Sequence, residues 1–300
     1  MSKTLPILVA VVVVCTILIV VLPLTLIKPQ KSSPTPTSLL STSRLVANNS
    51  LETHPNHTVI VGCVRNCAPY LNKVFKNIAQ IQQVLPVSQI VLAYDKSTDD
   101  TLLTLYDLKR KFPLKVLINR LPLSNDRFEN LSNARNSCLQ YIRALDHPPK
   151  YVIVMDMDDV CSKPIRTQVL RDTLADSNSW DCVTFYNDMY YDFLALSVGP
   201  FQGDCFKKPN PRQVIQNMYD YLKHLIATTS TNYVEVDSAF NGFGVYKWDT
   251  FQHCHYDFKG DMEHRFFHVC GKQKYGARIV IRKQPLFPPY TGTHADFLKR

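Results

Sequence analysis

Four short apolar runs punctuate the first half of the chain, at 58–64 (TVIVGCV), 89–94 (QIVLAY), 115–118 (KVLI) and 151–155 (YVIVM). Between them lie stretches whose apolar residues recur at helical spacing. Leu71, Val74, Phe75, Ile78, Ile81 and Leu85 mark the first. Leu102, Leu105, Tyr106 and Phe112 mark the second, and Leu131, Ala134, Cys138, Ile142 and Leu145 the third, which ends at His147-Pro148-Pro149. Short, near-continuous apolar strands alternating with amphipathic helices predict an α/β fold: a mostly parallel, doubly wound sheet with right-handed crossovers. The second half is less regular. Strands are expected at 181–186, 243–246 and 278–282 and helices at 213–226 and 263–270, with Pro-, Gly- and aromatic-rich loops between.

The fourth run stops abruptly and delivers Asp156, Asp158 and Asp159. Residues two apart on a strand face the same side, so Asp156 and Asp158 aim at one point. In open α/β sheets the carboxyl ends of the strands are where ligands sit. Crowded carboxylates repel, and a hard cation such as Mg2+ or Mn2+ relieves them. An acidic turn, or an N-cap cluster for the next helix, is the plain alternative.

Other residues converge on that edge. Asp95 follows the second strand and suits a ribose or base, while Ser97, Thr98 and Asp99 suit helix capping. Arg65 follows the first strand. Arg135 lies off the apolar stripe of its helix, toward an edge, where a guanidinium can grip phosphate or pair with the acidic cluster. Further on, Asp261, Glu263, His264 and His268 cluster about a helix start, with Glu263 or His264 as candidate general base. His294 is a further candidate metal ligand.

At the N-terminus, residues 5–27 carry no charge and are rich in Val, Leu and Ile. At about 1.5 Å per residue they span a bilayer core of about 30 Å. A signal-anchor is expected rather than a cleaved peptide, and everything the chain does is placed on its C-terminal side. Residues 28–57 read as a flexible Ser/Thr/Pro-rich stem. Asn48, Asn56 and Asn130 head glycosylation sequons, and eight cysteines beyond the anchor permit disulfides without showing them. The net charge of +9 suits an anionic partner, but no basic tract, zinc-finger spacing or recognition-helix pattern points to nucleic acid.

The order of Asp95-x-Ser97-Thr98-Asp99-x-Thr101, then Ala134-Arg135-Asn136, then Asp156-Met157-Asp158 resembles the nucleotide-sugar glycosyltransferases of the A-type (GT-A) fold, nearest to their family-2-like group. Lys96 departs from the glycine of that family's turn, and Asp159 adds a third acid. The resemblance implies a nucleotide-sugar half at 58–160 merging into a smaller acceptor half at 161–300. It implies that Arg65, Asp95, Arg135 and Asp156 contact the nucleotide-diphosphate sugar. Asp158, with Asp156 and His294, would hold Mn2+ or Mg2+; Asn241 and Gly242 would lie in the acceptor loop, and Asp261 or Glu263 would act as base. The implied protein is a single-pass, type II membrane enzyme of the Golgi or endoplasmic reticulum. It would transfer a hexose to a hydroxyl of a glycan, glycoprotein or glycolipid. A non-catalytic carbohydrate-binding or scaffolding protein on the same fold is the alternative.

Overall fold

The structure is a computed structural model in which residues 57–259 and 262–289 are described. The expected first half is present: β1 (Thr58–Val64), α1 (Ala68–Gln82), β2 (Val87–Tyr94), α2 (Thr101–Lys109), β3 (Leu114–Ile118), α3 (Arg127–Arg143) and β4 (Tyr151–Met155). Alternating strand residues serve two cores. Val59, Val61, Val91, Ala93, Val152 and Val154 pack on the α3 face with Ala134, Cys138 and Ile142. Ile60, Ile90, Leu92, Ile153 and Met155 pack on the opposite face with Leu71, Phe75 and Ile78 of α1. The strands read as uninterrupted apolar runs because both faces are covered.

The second half adds α4 (Thr167–Ala175), β5 (Cys182–Phe185), α5 (Pro211–Thr228), β6 (Tyr233–Glu235), β7 (Phe243–Lys247), α6 (Trp248–Phe251), α7 (Glu263–Tyr275) and β8 (Ile279–Arg282). All eight strands form one sheet in the order β3-β2-β1-β4-β7-β5-β8-β6. The sheet is mixed. β1, β2, β3, β4, β5 and β8 run one way, whereas β6 and β7 run against them. The sequence pattern does not foretell β6 or α4, because β6 spans three residues and α4 buries only Leu170 and Thr173.

Two consequences position the site. The chain passes from β1 outward to β2 and β3, then returns to β4 on the other side of β1. That reversal opens a crevice at the carboxyl edge. Because β5 is antiparallel to β7, which is antiparallel to β4, β5 ends at the same edge, where β7 begins.

Among the described residues no helix is long and apolar enough to cross a membrane. The expected anchor at 5–27, the stem through residue 56, the sequons at Asn48 and Asn56, and the candidate residues Asp261 and His294 lie outside the described residues. One disulfide joins Cys254 to Cys270, tying the loop after α6 to α7. Cys63, Cys67, Cys138, Cys161, Cys182 and Cys205 are free thiols.

Candidate active site

The loops after β1 and β2 are tied to each other before they reach any ligand. Asn66 adopts a left-handed φ of 54°, and its Oδ1 accepts from Thr98 N at 2.8 Å. Asn66 N donates to Ser97 Oγ at 3.0 Å. Asp99 caps by accepting from Ala68 N at 3.1 Å and Thr101 N at 3.0 Å. Burial would raise its carboxyl, but these hydrogen bonds outweigh that and hold it below the usual carboxylate range. The tie to Asn66 therefore accounts for Ser97 and Thr98, and the hydrogen bonds at the helix starts for Asp99 and Thr101. Asp95 is left to the site, with Asn119 Nδ2 donating to its Oδ1 at 2.8 Å.

The helix α3 distributes its Ala-Arg-Asn triplet over three tasks. Ala134 is in the core. Asn136 clamps the loop before α7, donating to Tyr256 O at 2.8 Å and accepting from Tyr256 N at 2.9 Å. Arg135 lies between them and is buried, only 8% exposed. It stands at the cleft edge beside acidic side chains and not as an exposed surface arginine, because that loop and α7 close over this side of α3. Arg135 Nε stands 3.5 Å from Glu263 Oε1, and an Nη stands 3.8 Å from Asp156 Oδ1. Its guanidinium also lies 5.2 Å from the Phe240 ring and 5.7 Å from the Tyr256 ring. Burial opposes the positive charge, but Cys63, Glu263, Tyr256 and Asp156 around it more than offset that and push its pKa up.

The carboxylates that follow β4 lie past its last strand residue, Met155. Asp156 and Asp158 line the cleft, and Met157 between them is almost wholly buried, touching both the cleft lining and the α1 core. Asp156 Oδ2 accepts from Tyr191 Oη at 2.8 Å. Asp158 Oδ1 accepts from Val160 N at 3.2 Å. Asp159 is buried at 8% exposure, away from the cleft lining.

Asn241 and Gly242, expected to face an acceptor, sit behind the wall and do not line the cleft. Asn241 has φ 61°, its Oδ1 accepts from Tyr191 N at 3.2 Å, and its Nδ2 donates to Phe185 O at 3.3 Å. Gly242 O accepts from Asp156 N at 2.9 Å. Gly242 has φ 88°, and a Cβ there would collide with Val160. This turn braces Asp156 and Tyr191.

These elements enclose a cleft of about 620 Å³. Arg65, Asp95, Arg135, Asp156, Asp158, Glu263 and His264, all named from the sequence, line it together. So do Arg127 and Phe128 from the start of α3, Phe240, and the run from Tyr191 to Ala195, which sequence reasoning missed. The lining carries five carboxylates (Asp95, Asp156, Asp158, Asp192, Glu263) against three guanidinium groups (Arg65, Arg127, Arg135).

Two features of the floor are chemically incomplete. Glu263 Oε2 and both ring nitrogens of His264 are buried without a hydrogen-bond partner. His264 stacks on Phe240 at 3.9 Å. Burial first, then the charge of Arg135, drives its pKa well below the usual imidazole value, so it is neutral. His268, one turn on, is pushed down to about 3 by burial and by Arg135. Its Nδ1 is 2.8 Å from Ser238 Oγ and its Nε2 is 3.0 Å from Tyr246 Oη, so it is a satisfied core histidine. Among the described residues no three His, Cys, Asp or Glu side chains stand together as a metal site.

No family model and no curated protein matches the sequence. Similar solved structures include TarS 1-349 of S. aureus in complex with UDP-GlcNAc. It is 19% identical over 81% of this chain and 61% of that one, at a TM-score of 0.45. Longer TarS is similar at 18% identity, with 79% of this chain and 37% of that one covered and a TM-score of 0.46. The mannosyltransferase PcManGT from Pyrobaculum calidifontis, in complex with GDP-Man and Mn2+, is similar at 13% identity over 78% and 58%, TM-score 0.45. The chain thus spans less than two thirds of the length of these neighbours. Likeness at this level carries no argument about activity, which has to come from the cleft.

Proposed function

We propose that the chain is a metal-dependent glycosyltransferase that moves a hexose from a nucleotide-diphosphate sugar to a hydroxyl of a glycan, protein or lipid. The observation that carries this reading is the convergence of Asp95, Arg65, Arg135, Asp156 and Asp158 on one cleft at the switch point of the sheet. A cleft of about 620 Å³ lies within the usual range for ligand sites, about 300–1,000 Å³.

The charge inventory supports a divalent cation. Even with the Asp192 carboxyl, pushed up to about 7, left out, four carboxylates stand against three guanidinium groups, so the lining carries no net positive charge for a diphosphate and a cation would favour its binding. Asp158 offers hard oxygen donors, and Mg2+-type sites commonly need only one or two carboxylates besides substrate phosphates. Asp156 is committed to Tyr191 and Arg135, so it suits orientation of the donor better than direct ligation. When bound, such a cation would supply charge neutralisation on the departing diphosphate.

The chain's own residues do the rest. Asp95, at the end of β2, accepts hydrogen bonds from the nucleoside. Arg65 and Arg127 present guanidinium groups to the diphosphate. Arg135, fixed by Glu263 and Asp156, sets the potential behind them. The acceptor enters along Tyr191–Ala195 and α7. Anchoring through residues 5–27 with the active domain in an oxidising lumen belongs to the same proposal. The Cys254–Cys270 disulfide supports it.

The test is nucleoside-diphosphate release by full-length protein in detergent, from a panel of nucleotide sugars, with Mn2+, with Mg2+ and with chelator. Release should require the cation and be lost in Asp158→Ala while the fold, monitored by circular dichroism, is kept. Cation-independent release, or full activity in Asp158→Ala, would sink the metal assignment.

A further inference from the structure

The sequence offered Asp261 and Glu263 as candidate bases. Glu263 is only 3% exposed, and one of its oxygens is engaged by Arg135. A carboxylate that is almost fully buried and ion-paired with a guanidinium is suited to positioning, whereas a half-buried one without a cation partner is open to an acceptor. The cleft contains another carboxylate that fits the task of proton acceptor.

Asp192 lies on the loop that follows β5, at the edge where β4 also ends. That loop is held on both sides of it. Tyr191 N donates to Asn241 Oδ1 at 3.2 Å, and Tyr191 Oη donates to Asp156 Oδ2 at 2.8 Å. Tyr190 and Phe193 are buried and meet edge-to-face with ring centroids 5.5 Å apart. Asp192 itself uses Oδ1 to accept from Ala195 N at 3.2 Å, while its half-buried carboxyl lines the cleft. A rigid loop thus presents a carboxylate with accepting capacity to spare.

A second observation marks the same cleft as one that receives a hydroxylated ligand. The buried, unpartnered Glu263 Oε2 and the two His264 nitrogens belong to residues that line this cleft. Such atoms carry a desolvation cost until a ligand's hydroxyl groups pair with them.

We propose that Asp192 takes the proton of the acceptor hydroxyl. This rests on the glycosyl-transfer reading above. The acceptor oxygen bonds to the sugar's anomeric carbon as the bond from that carbon to the diphosphate oxygen breaks. The bonding pair leaves with the nucleoside diphosphate, and the hydroxyl proton ends on Asp192. One displacement inverts the anomeric configuration.

The electrostatics agree with the geometry. Burial raises the Asp192 carboxyl most, and the negative charges of Glu263 on α7 and Asp156 after β4 raise it further. Ala195 N and the charge of Arg135 on α3 oppose them. The outcome is a carboxyl pushed up to about 7. A base titrating near neutrality combines the deprotonated state with useful basicity.

The test uses full-length protein in detergent, with UDP-glucose, UDP-GlcNAc and GDP-mannose as donors and octyl glucoside and octyl mannoside as acceptor probes. Asp192→Asn keeps the acceptor for Ala195 N, so the loop should be retained. Its kcat should fall about 10²–10⁴-fold, with donor KM and nucleotide affinity by calorimetry changed less than about twofold. Wild-type kcat/KM should decline below about pH 7 on an acidic limb that Asp192→Asn lacks. Asp192→Glu should recover part of the rate, and the product anomer by proton NMR should be inverted. An unchanged acidic limb in Asp192→Asn, or a retained anomer, would overturn the assignment of Asp192 while leaving glycosyl transfer standing. Wild-type protein that neither binds nucleotide nor consumes any donor would overturn the parent reading as well.

Discussion

Replacing Arg135 with Met should unsettle the site and the fold together, and its cost can be calculated from the contacts. The guanidinium is 8% exposed, 3.5 Å from a Glu263 carboxylate that is 3% exposed, and 3.8 Å from Asp156. Methionine keeps most of the aliphatic packing between Phe240 and Tyr256 but leaves Glu263 without its cation. Removing one partner of a buried ion pair costs about 3–5 kcal/mol, most of it the stranded charge rather than the lost attraction. At about 2–4 °C per kcal/mol for a body of this size, the melting temperature should drop by roughly 10 °C. The decisive assay is a double-mutant cycle by urea unfolding. Glu263→Gln removes the charge that Arg135→Met strands, so the double variant should be more stable than the single Arg135→Met by about 1–3 kcal/mol. Asp156→Asn should rescue less, since Asp156 is 23% exposed and keeps Tyr191. An Arg135→Met protein within about 1 kcal/mol of wild type, or strictly additive effects, would refute the view that Arg135 is the electrostatic pivot of the cleft.

Acid should destabilise the fold in a way that Asp192 moderates. His268 (pushed to about 3) and His264 are neutral when folded, whereas unfolded histidine protonates near about 6.5. Between roughly pH 4 and 6.5 the unfolded state therefore holds two extra protons on these residues, and their contribution to stability is lost as pH falls. Asp192 runs the other way, since its raised carboxyl makes the folded state hold one extra proton. The net slope should be about 1.4 kcal/mol per pH unit, and about 2.7 in Asp192→Asn, read from urea midpoints across that window. Equal slopes would contradict the assignment. Gly242→Ala should cost roughly 2–4 kcal/mol, from a left-handed φ of 88° and collision with Val160. It should also raise donor KM, because Gly242 O positions Asp156; an unchanged unfolding midpoint would count against the brace. Reducing Cys254–Cys270, separated by 16 residues, should lower stability by about 3 kcal/mol in the same assay. No response to reductant would argue that the bond is not formed.

Local pattern was enough for the first half of the sheet and for the identity of its edge residues. Strand and helix periods are properties of neighbouring residues, and the apolar run Tyr151–Met155 suits a strand buried on both faces, as it is. The carboxylates after it could be placed at the strand's carboxyl edge, and Asp156 and Asp158 both reach the cleft there, just past the last strand residue. Asp95 was separable from the capping residues beside it, since the helix start needs Asp99 and leaves Asp95 over.

The opposite wall is a product of long-range packing. It is assembled from β5, β7 and α7, whose order in space, with antiparallel β7 set between β4 and β5, has no signature in local spacing. The place of Arg135 near the edge could be read from its helix, but its burial could not, because helical period reports only the stripe facing the sheet; the loop at Tyr256 and the start of α7 close over it. Asn241 and Gly242 look like ligand residues in sequence, yet their backbone conformation commits both to holding Asp156 and Tyr191. Asp192 sits in an aromatic loop with no periodic signal. Only the fold brings it beside Glu263 and Asp156, 71 and 36 positions away in sequence, and that neighbourhood is what gives an ordinary aspartate its basicity.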